Sequence, residues 1–428
     1  GKVKLYGSWG RYFQNVPYSL PRGAFGADYW HVYYRALDTP NVFGLSSLIP
    51  NVAATNGANL PGANLWSSVT NSSRDRRIPN FNTIQPGIKP MYGDQMNAGA
   101  EFQVGPTMVF RAGYVRNSLG RTIEDQGSLD ANGDELYFYG NPGEGNSVCC
   151  LTTPTSGKTK PFTTPKPERT YNAMELSLTK RYSNHWLGSA SYVLSRLQGN
   201  YPGLSNTDEV RTPTIGSSYS NAQSSAGTAV RNGDAASRAW DLDEILFDSH
   251  GNLNFKGPLA TDRTNVLKLY GAYTKPWGKM GDSEIGLNYY AGSGTPISTY
   301  AWTINSIPVF VNGRGDMGRT PALTQTDMVI SHEYKLSETK RIRFEANVIN
   351  LFNQKTARHI FNDYNRQSRV GSAGMDLSGV DLTKGYDYKA LVAASSEGKA
   401  GTALDPRFGK ADLFNSGFAG RLGIKFTF

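Results

Sequence analysis

Few residues in this sequence are spaced for chemistry. The first candidate is a run of acids, Asp130-Ala131-Asn132-Gly133-Asp134-Glu135. Oxygen ligands at alternate positions around a glycine can converge on a hard cation, so Asp130, Asn132 and Asp134 are candidate calcium ligands, with a solvated turn as the other account. The full EF-hand pattern fails. Its sixth position is Glu135 instead of Gly, and its twelfth, which needs a bidentate carboxylate, is Asn141. Gly313-Arg314-Gly315-Asp316-Met317-Gly318 has the spacing of a dinucleotide loop. Pro321 and a strand pattern from Thr324 leave no room for the helix whose N-terminus would hold the phosphates. The Arg314-Gly315-Asp316 tripeptide inside it reads as a chance match to an adhesion motif. Cys149 and Cys150 are adjacent, at a Cα separation of about 3.8 Å, closer than an ordinary disulfide needs. A strained vicinal bridge and bridges to another chain both stay open. His31, His185, His250, His332 and His359 sit in no HExxH pattern, and no G-x-S-x-G elbow exists. Asp241, Asp243 and Glu244 read as a solvated loop surface. No catalytic residue is expected, and no cofactor beyond a possible calcium ion.

The elements that position these residues follow from composition and periodicity. The chain has 428 residues, of which 38% are hydrophobic, 18% charged and 12% aromatic, with 47 Gly, 22 Pro and 2 Cys. Mean hydropathy is −0.46. No run approaches the roughly 18 apolar residues of a membrane-spanning helix. Two cysteines rule out a disulfide-built scaffold. Frequent Gly and Pro disfavour long helices. The net charge of +9 is scattered along the chain, which argues against nucleic acid as a partner.

Ten segments alternate with period two, the signature of strands with two different faces. In the first, Val3, Leu5, Gly7, Trp9 and Phe13 oppose Lys2, Lys4, Tyr6, Ser8 and Tyr12. From about Asp94 to Val104, Met96, Ala98, Ala100 and Phe102 oppose Gln95, Asn97 and Glu101. The pattern recurs at 108–117, 174–181, more weakly at 186–194, then at 267–274, 284–289, 327–336 and 341–352. It closes with Phe418, Leu422, Ile424, Phe426 and Phe428 against Arg421, Gly423, Lys425 and Thr427. Tight turns at Gly105-Pro106, Ser183-Asn184-His185, Gly278 to Gly281 and Ser337-Glu338-Thr339 alternate with long connections at about 14–90, 120–168, 198–262, 296–324 and 354–414. Long structureless loops do not suit a compact soluble domain. Strict short/long alternation suits an all-β, antiparallel transmembrane β-barrel with periplasmic turns and long extracellular loops. Tyr182, Trp186 and Trp277 flank the short turns, the expected height of an aromatic girdle. Glu333, Arg341, Arg343, Glu345, Arg421 and Lys425 would face the lumen.

These stretches resemble the C-terminal part of the barrel of TonB-dependent receptors, most closely the Oar-like subgroup. Lys89-Pro90-Met91-Tyr92-Gly93-Asp94 leads into Asn97-Ala98-Gly99-Ala100-Glu101 as in the family. Arg169 to Tyr182, Trp186 to Leu197, Asp262 to Gly271 and Asn347-Val348-Ile349-Asn350-Leu351-Phe352-Asn353 are similar to further family stretches. Phe426 and Phe428 resemble an outer-membrane assembly signal.

The resemblance implies a 22-stranded barrel in the outer membrane of a diderm, Gram-negative-type bacterium, with residues 1–428 as its C-terminal segment. Because Gly1 opens directly into a strand, the preceding strands, the plug and the TonB box are expected in a longer protein. The implied function is uptake of a scarce substrate. The implied partners are outer-membrane lipid and lipopolysaccharide, the assembly machinery, the TonB complex through the plug, and an extracellular substrate bound by loops 15–89, 121–167, 199–260 and 354–413. Siderophore, glycan, peptide and protein cargo all fit. The alternative is a structural or adhesion barrel subunit of a surface assembly.

Overall fold

A computed structural model of the chain describes residues 2–14, 84–129, 135–144, 147–148, 162–163, 165–203, 247–253, 256–304, 308–366, 372–377 and 379–428, and the backbone of 29–31 and 74–76. Ten long strands form one continuous antiparallel sheet in chain order. They are β1 (Val3–Phe13), β2 (Tyr92–Gly105), β3 (Met108–Arg121), β4 (Arg169–Ser183), β5 (Trp186–Gly199), β6 (Asn265–Pro276), β7 (Asp282–Gly292), β8 (Leu323–Lys335), β9 (Arg341–Ile349) and β10 (Ala419–Thr427). All ten expected segments are strands. Among the described residues the sheet does not close, and β1 and β10 are its edges.

Cross-strand register decides which residues share a face, because directly opposed residues project to the same side. Leu5 lies opposite Ala100, Ala100 opposite Ala112, and Ala112 opposite Leu176. Ile285 faces Ile330, Ile330 faces Ala346, and Ala346 faces Leu422. The apolar half of each segment thus falls on one unbroken side, and no other layer covers it. Leu5 is 78% exposed, Leu287 46% and Leu422 90%. Soluble proteins rarely leave so large an apolar surface open. On its charges, this face is apolar only through its middle. Arg11, Asp94, Arg116 and Arg196 lie at the long-loop ends of the strands, and Lys180 and Lys275 at the short-turn ends.

The short turns are tight for identifiable reasons. Asn184 and His185 both adopt positive φ, 51° and 70°, as a two-residue hairpin turn that matches strand twist requires. The Lys180 ammonium donates to the Ser183 and Trp186 carbonyls, each at 2.8 Å, and so ties that turn from outside. A 3-10 turn at Gly278–Met280 joins β6 to β7.

The long connections correct the expectation of structureless loops. Glu124–Leu129 pairs with Glu135–Gly140, Tyr300–Trp302 with Pro308–Phe310, and Ala357–Ile360 with Ala411–Phe414. The connection after β9 also carries a 3-10 turn (Leu382–Lys384), α1 (Tyr388–Ala394) and α2 (Ser396–Lys399). Asp387 caps α1 by accepting from the Lys389 and Ala390 amides, both at 3.0 Å. Phe247 from the connection after β5, Val309 and Val311 from that after β7, and Met375, Leu377, Leu382 and Val392 from that after β9 bury one another. The hydrophobic core of the described chain is therefore in this cap at the long-loop end, and not in the sheet.

The assignment of faces gives opposite outcomes for neighbouring substitutions. Leu287→Arg puts a charge in the middle of the apolar face and should cost about 2–4 kcal/mol. Asn288→Arg points to the polar face beside Asp327 and should be tolerated. Heat-modifiable migration of the two variants extracted from outer membranes checks this.

Candidate functional site

The polar face carries its charges as pairs near the short turns. Glu333 on β8 accepts from Arg341 on β9 at 3.0 Å. Arg343 reaches Glu284 on β7 at 3.3 Å and lies 3.7 Å from Glu345. Lys335 adds Asp282 at 3.7 Å, and Lys4 lies 3.6 Å from Glu101. Glu333, Arg341, Arg343 and Glu345 are thereby brought together. Arg421 and Lys425 share their face, opposite Asn347 and Arg343, and among the described residues neither has a carboxylate partner. Glu284 completes this network and was not singled out from sequence. Its signal was its place on the polar side of its strand, but only register brings it to Arg343. Such pairs are wet and individually weak. They make a mixed-charge, water-facing wall.

Toward the long loops the same face opens a cleft of about 290 Å³, lined among others by Tyr12, Gln95, Asn117, Arg169 and Tyr171. Phenols, amides and a guanidinium can hydrogen-bond a polar ligand in either direction. On the apolar side, Tyr182, Trp186 and Trp277 stand half-exposed beside the short turns. The Lys180 ammonium lies 3.9 Å from the Trp186 ring centroid, and the Trp277 indole donates to Ser283 Oγ at 2.9 Å. Phe426 and Phe428 stack at 5.8 Å at this end.

The cap is joined to the sheet by buried polar groups. Asp262, buried at the outer end of β6, accepts from the Leu197 amide at 2.6 Å and pairs with Arg319. Arg319 also donates to the Asp262 and Gly294 carbonyls, both at 3.0 Å. Asn350 is wholly buried at φ 52° and donates to the Gln354 and Ser416 carbonyls at 3.0 and 2.7 Å. Asn365 holds Trp302 from both sides, accepting from its amide at 2.8 Å and donating to its carbonyl at 3.0 Å. At the rim, Tyr201 donates to Glu124 at 2.6 Å. Burial, then the Glu124 charge, push the Tyr201 phenol far above its ordinary value, so it remains a donor.

The tempting motifs resolve into local geometry. Gly313, Gly315 and Gly318 have φ of 84°, 78° and 81°, a left-handed backbone that suits glycine and needs no phosphate. The Asp316 carboxylate accepts from the Thr299 amide at 2.7 Å and from Asn312 at 3.0 Å, and Arg314 donates to the Asn200 carbonyl at 3.0 Å. That tripeptide is built into the cap. Asn141 clamps two segments, accepting from the Lys89 amide at 2.7 Å and donating to the Thr122 carbonyl at 2.8 Å. Asp130, Asn132 and Asp134 lie outside the described residues, in the connection between two paired strands. Cys149, Cys150, Asp241, Asp243 and Glu244 lie outside them too. Among the described residues no three His, Cys, Asp or Glu side chains gather as a metal site.

Two outcomes follow. Asp262→Ala leaves Arg319 without its counter-charge and the Leu197 amide without its acceptor, and should cost about 3 kcal/mol or more. The double variant Asp262→Leu/Arg319→Met should lose less, as thermal unfolding of the purified protein would show. At the rim, burial raises the Glu144 carboxyl, but hydrogen bonds from Arg121 and Lys89 outweigh this and hold it below its ordinary value. The stability it adds is complete above its unfolded value of about pH 4.3 and is lost as pH falls through the lowered folded value. A Glu144→Gln variant should show a flatter acid limb in unfolding measured against pH.

Comparison with known proteins bears on this two-faced sheet. The outer membrane beta barrel domain model matches residues 17–246. The TonB-dependent transporter Oar of Myxococcus xanthus is 29% identical over 364 residues, which is 82% of this chain and 30% of that protein. The chain thus spans under a third of the length of this curated relative. Among solved structures, the outer membrane transporter YddB from Escherichia coli matches 64% of this chain and 30% of its own, at 12% identity and a TM-score of 0.38. The copper transporter OprC matches 81% of this chain and 34% of its own, at 10% identity and a TM-score of 0.34. With its uncovered apolar face and its polar opposite face, the chain belongs to the outer membrane beta barrel domain family, resides in the outer membrane, and is a relative of the TonB-dependent transporter Oar.

Proposed function

We propose that the chain is the C-terminal part of the barrel wall of a TonB-dependent receptor that imports a scarce substrate. The observation that carries this is the pairing of an uncovered apolar face with a wet, charged face under a folded cap, in a relative of Oar. In the complete receptor the apolar face meets lipid, the short turns are periplasmic, and the cap and long loops meet the substrate outside. The polar face lines the path, and the cleft at Tyr12, Asn117 and Tyr171 is the first polar surface cargo meets on it. TonB acts through a plug outside this chain. The assembly machinery reads the strand that ends in Phe426 and Phe428, and Tyr182, Trp186 and Trp277 hold the barrel at the periplasmic interface.

Removal of the gene should abolish growth on at least one limiting nutrient among ferric chelates, oligosaccharides and peptides. Restoration by the intact gene should require TonB. Unchanged growth on every one of them, with loss of surface attachment, would instead support an adhesion or scaffold role.

A further inference from the structure

A hydroxyl and an imidazole meet on the outward face, beside the 3-10 turn that joins β6 to β7. Ser283 on β7 and His332 on β8 are directly opposed in the ladder. Register alone brings them together across 49 positions of chain. Ser283 Oγ lies 2.7 Å from His332 Nδ1, and His332 Nε2 lies 3.1 Å from the Met280 carbonyl oxygen. A carbonyl only accepts, so Nε2 carries the proton. In the neutral ring Nδ1 is then the acceptor, and the Ser283 hydroxyl donates to it. The Trp277 indole donates to the same Oγ at 2.9 Å, which leaves the hydroxyl proton to His332.

Each partner is held in place. The turn Gly278–Met280 presents the Met280 carbonyl. Gly281 has φ 96°, and a Cβ there would collide with the Glu333 carbonyl, so the turn closes directly onto β8. The Tyr334 ring stands edge-on to the imidazole, with 4.1 Å between centroids. A hydroxyl bonded to an imidazole whose far nitrogen is fixed by a third group is the arrangement of an activated serine. Here a backbone carbonyl takes the place of the usual carboxylate.

The surroundings define what reaches this hydroxyl. Ser283 continues the outward row of Ile285 and Leu287, and His332 that of Ile330 and Met328. Ile285 is 42% exposed and Ile330 45%. Two residues along a strand are about 6.8 Å, or roughly 5 Å of depth at a 45° tilt. The hydroxyl therefore stands where the apolar face gives way to the girdle at Trp277. That is the boundary of hydrocarbon and headgroup, the depth at which a glycerophospholipid carries its acyl esters.

We propose that Ser283 is an acylation site that takes one fatty acyl chain from a phospholipid of the periplasmic leaflet. Ser283 Oγ attacks the ester carbonyl carbon while its proton passes to His332 Nδ1. The Met280 carbonyl steadies the imidazolium from the far nitrogen. The Trp277 indole N–H, released from Oγ, donates to the oxyanion. The tetrahedral intermediate then breaks its bond to the glycerol oxygen, which leaves with the proton from His332. The products are an O-acyl serine and a lysophospholipid. One ester replaces another, so the step needs no oxidant or energy source. The new chain lies along Ile285 and Leu287, away from the water that would hydrolyse it. The site rests on the periplasmic placement of the short turns proposed above, but not on transport.

The test folds the full-length protein into phosphatidylglycerol vesicles with deuterated palmitoyl chains and follows the Ser283 peptide by mass spectrometry. Wild type should gain one deuterated palmitoyl group on Ser283 and release one lysolipid for each. Ser283→Ala should gain none. His332→Asn retains a hydrogen-bonding side chain but no base, and should acylate about a hundredfold more slowly. Lys279→Gln, exposed in the turn, should acylate like wild type. Heat-modifiable migration establishes that each variant is folded. The proposal is overturned if folded wild type leaves Ser283 unmodified, if Ser283→Ala gains as much acyl chain, or if His332→Asn acylates as fast. A protein that acylates Ser283 but supports growth on no limiting nutrient would sink the transport role and leave this site standing.

Discussion

Everything in this chain depends on the backbone ladder. Inside hydrocarbon there is no water to pair an amide or a carbonyl, and each unpaired group costs several kcal/mol. Only a sheet in which every interior strand is paired on both sides meets that demand. Strands β2 to β9 are so paired, through registers with few irregularities. The ladder leaves the side chains to divide into two faces, and a one-residue slip would exchange them. Register thus decides which side chains meet lipid, and the turns help to set it. Asn184 and His185 show this in their backbone, and Lys180 in its three-way hold on the turn.

The motif-like stretches are explained by the transition from sheet to cap. Asp262 and Asn350 both sit where a strand leaves the ladder and its terminal amides lose their partners. A short polar side chain replaces the missing strand there. Asp262 accepts from the Leu197 amide, and Asn350 bridges Gln354 and Ser416. The resemblance carried by these stretches therefore reports how a barrel strand ends.

The cap inverts the usual layout of a protein. Its side chains pack into a dry core around Met375 and Val392, while the membrane-spanning part has none. The sheet is held by lipid, by its ladder and by wet charge pairs on the other face. Each such pair contributes little.

Sequence alone determined the ten strands, their two faces and the alternation of short and long connections. Strand periodicity is local, because a residue and its second neighbour share a face whatever the rest of the chain does. It also placed Glu333, Arg341, Arg343 and Glu345 on one side. It could not show that Glu284 would meet Arg343 at 3.3 Å, or that Asn141 would clamp Lys89. Those contacts join residues more than 50 positions apart in the chain, and they exist only once register is set. The cap was illegible for a related reason. Its core draws short apolar clusters from three connections, around Phe247, Val309 and Val392. No periodicity marks such residues until the sheet brings the connections together.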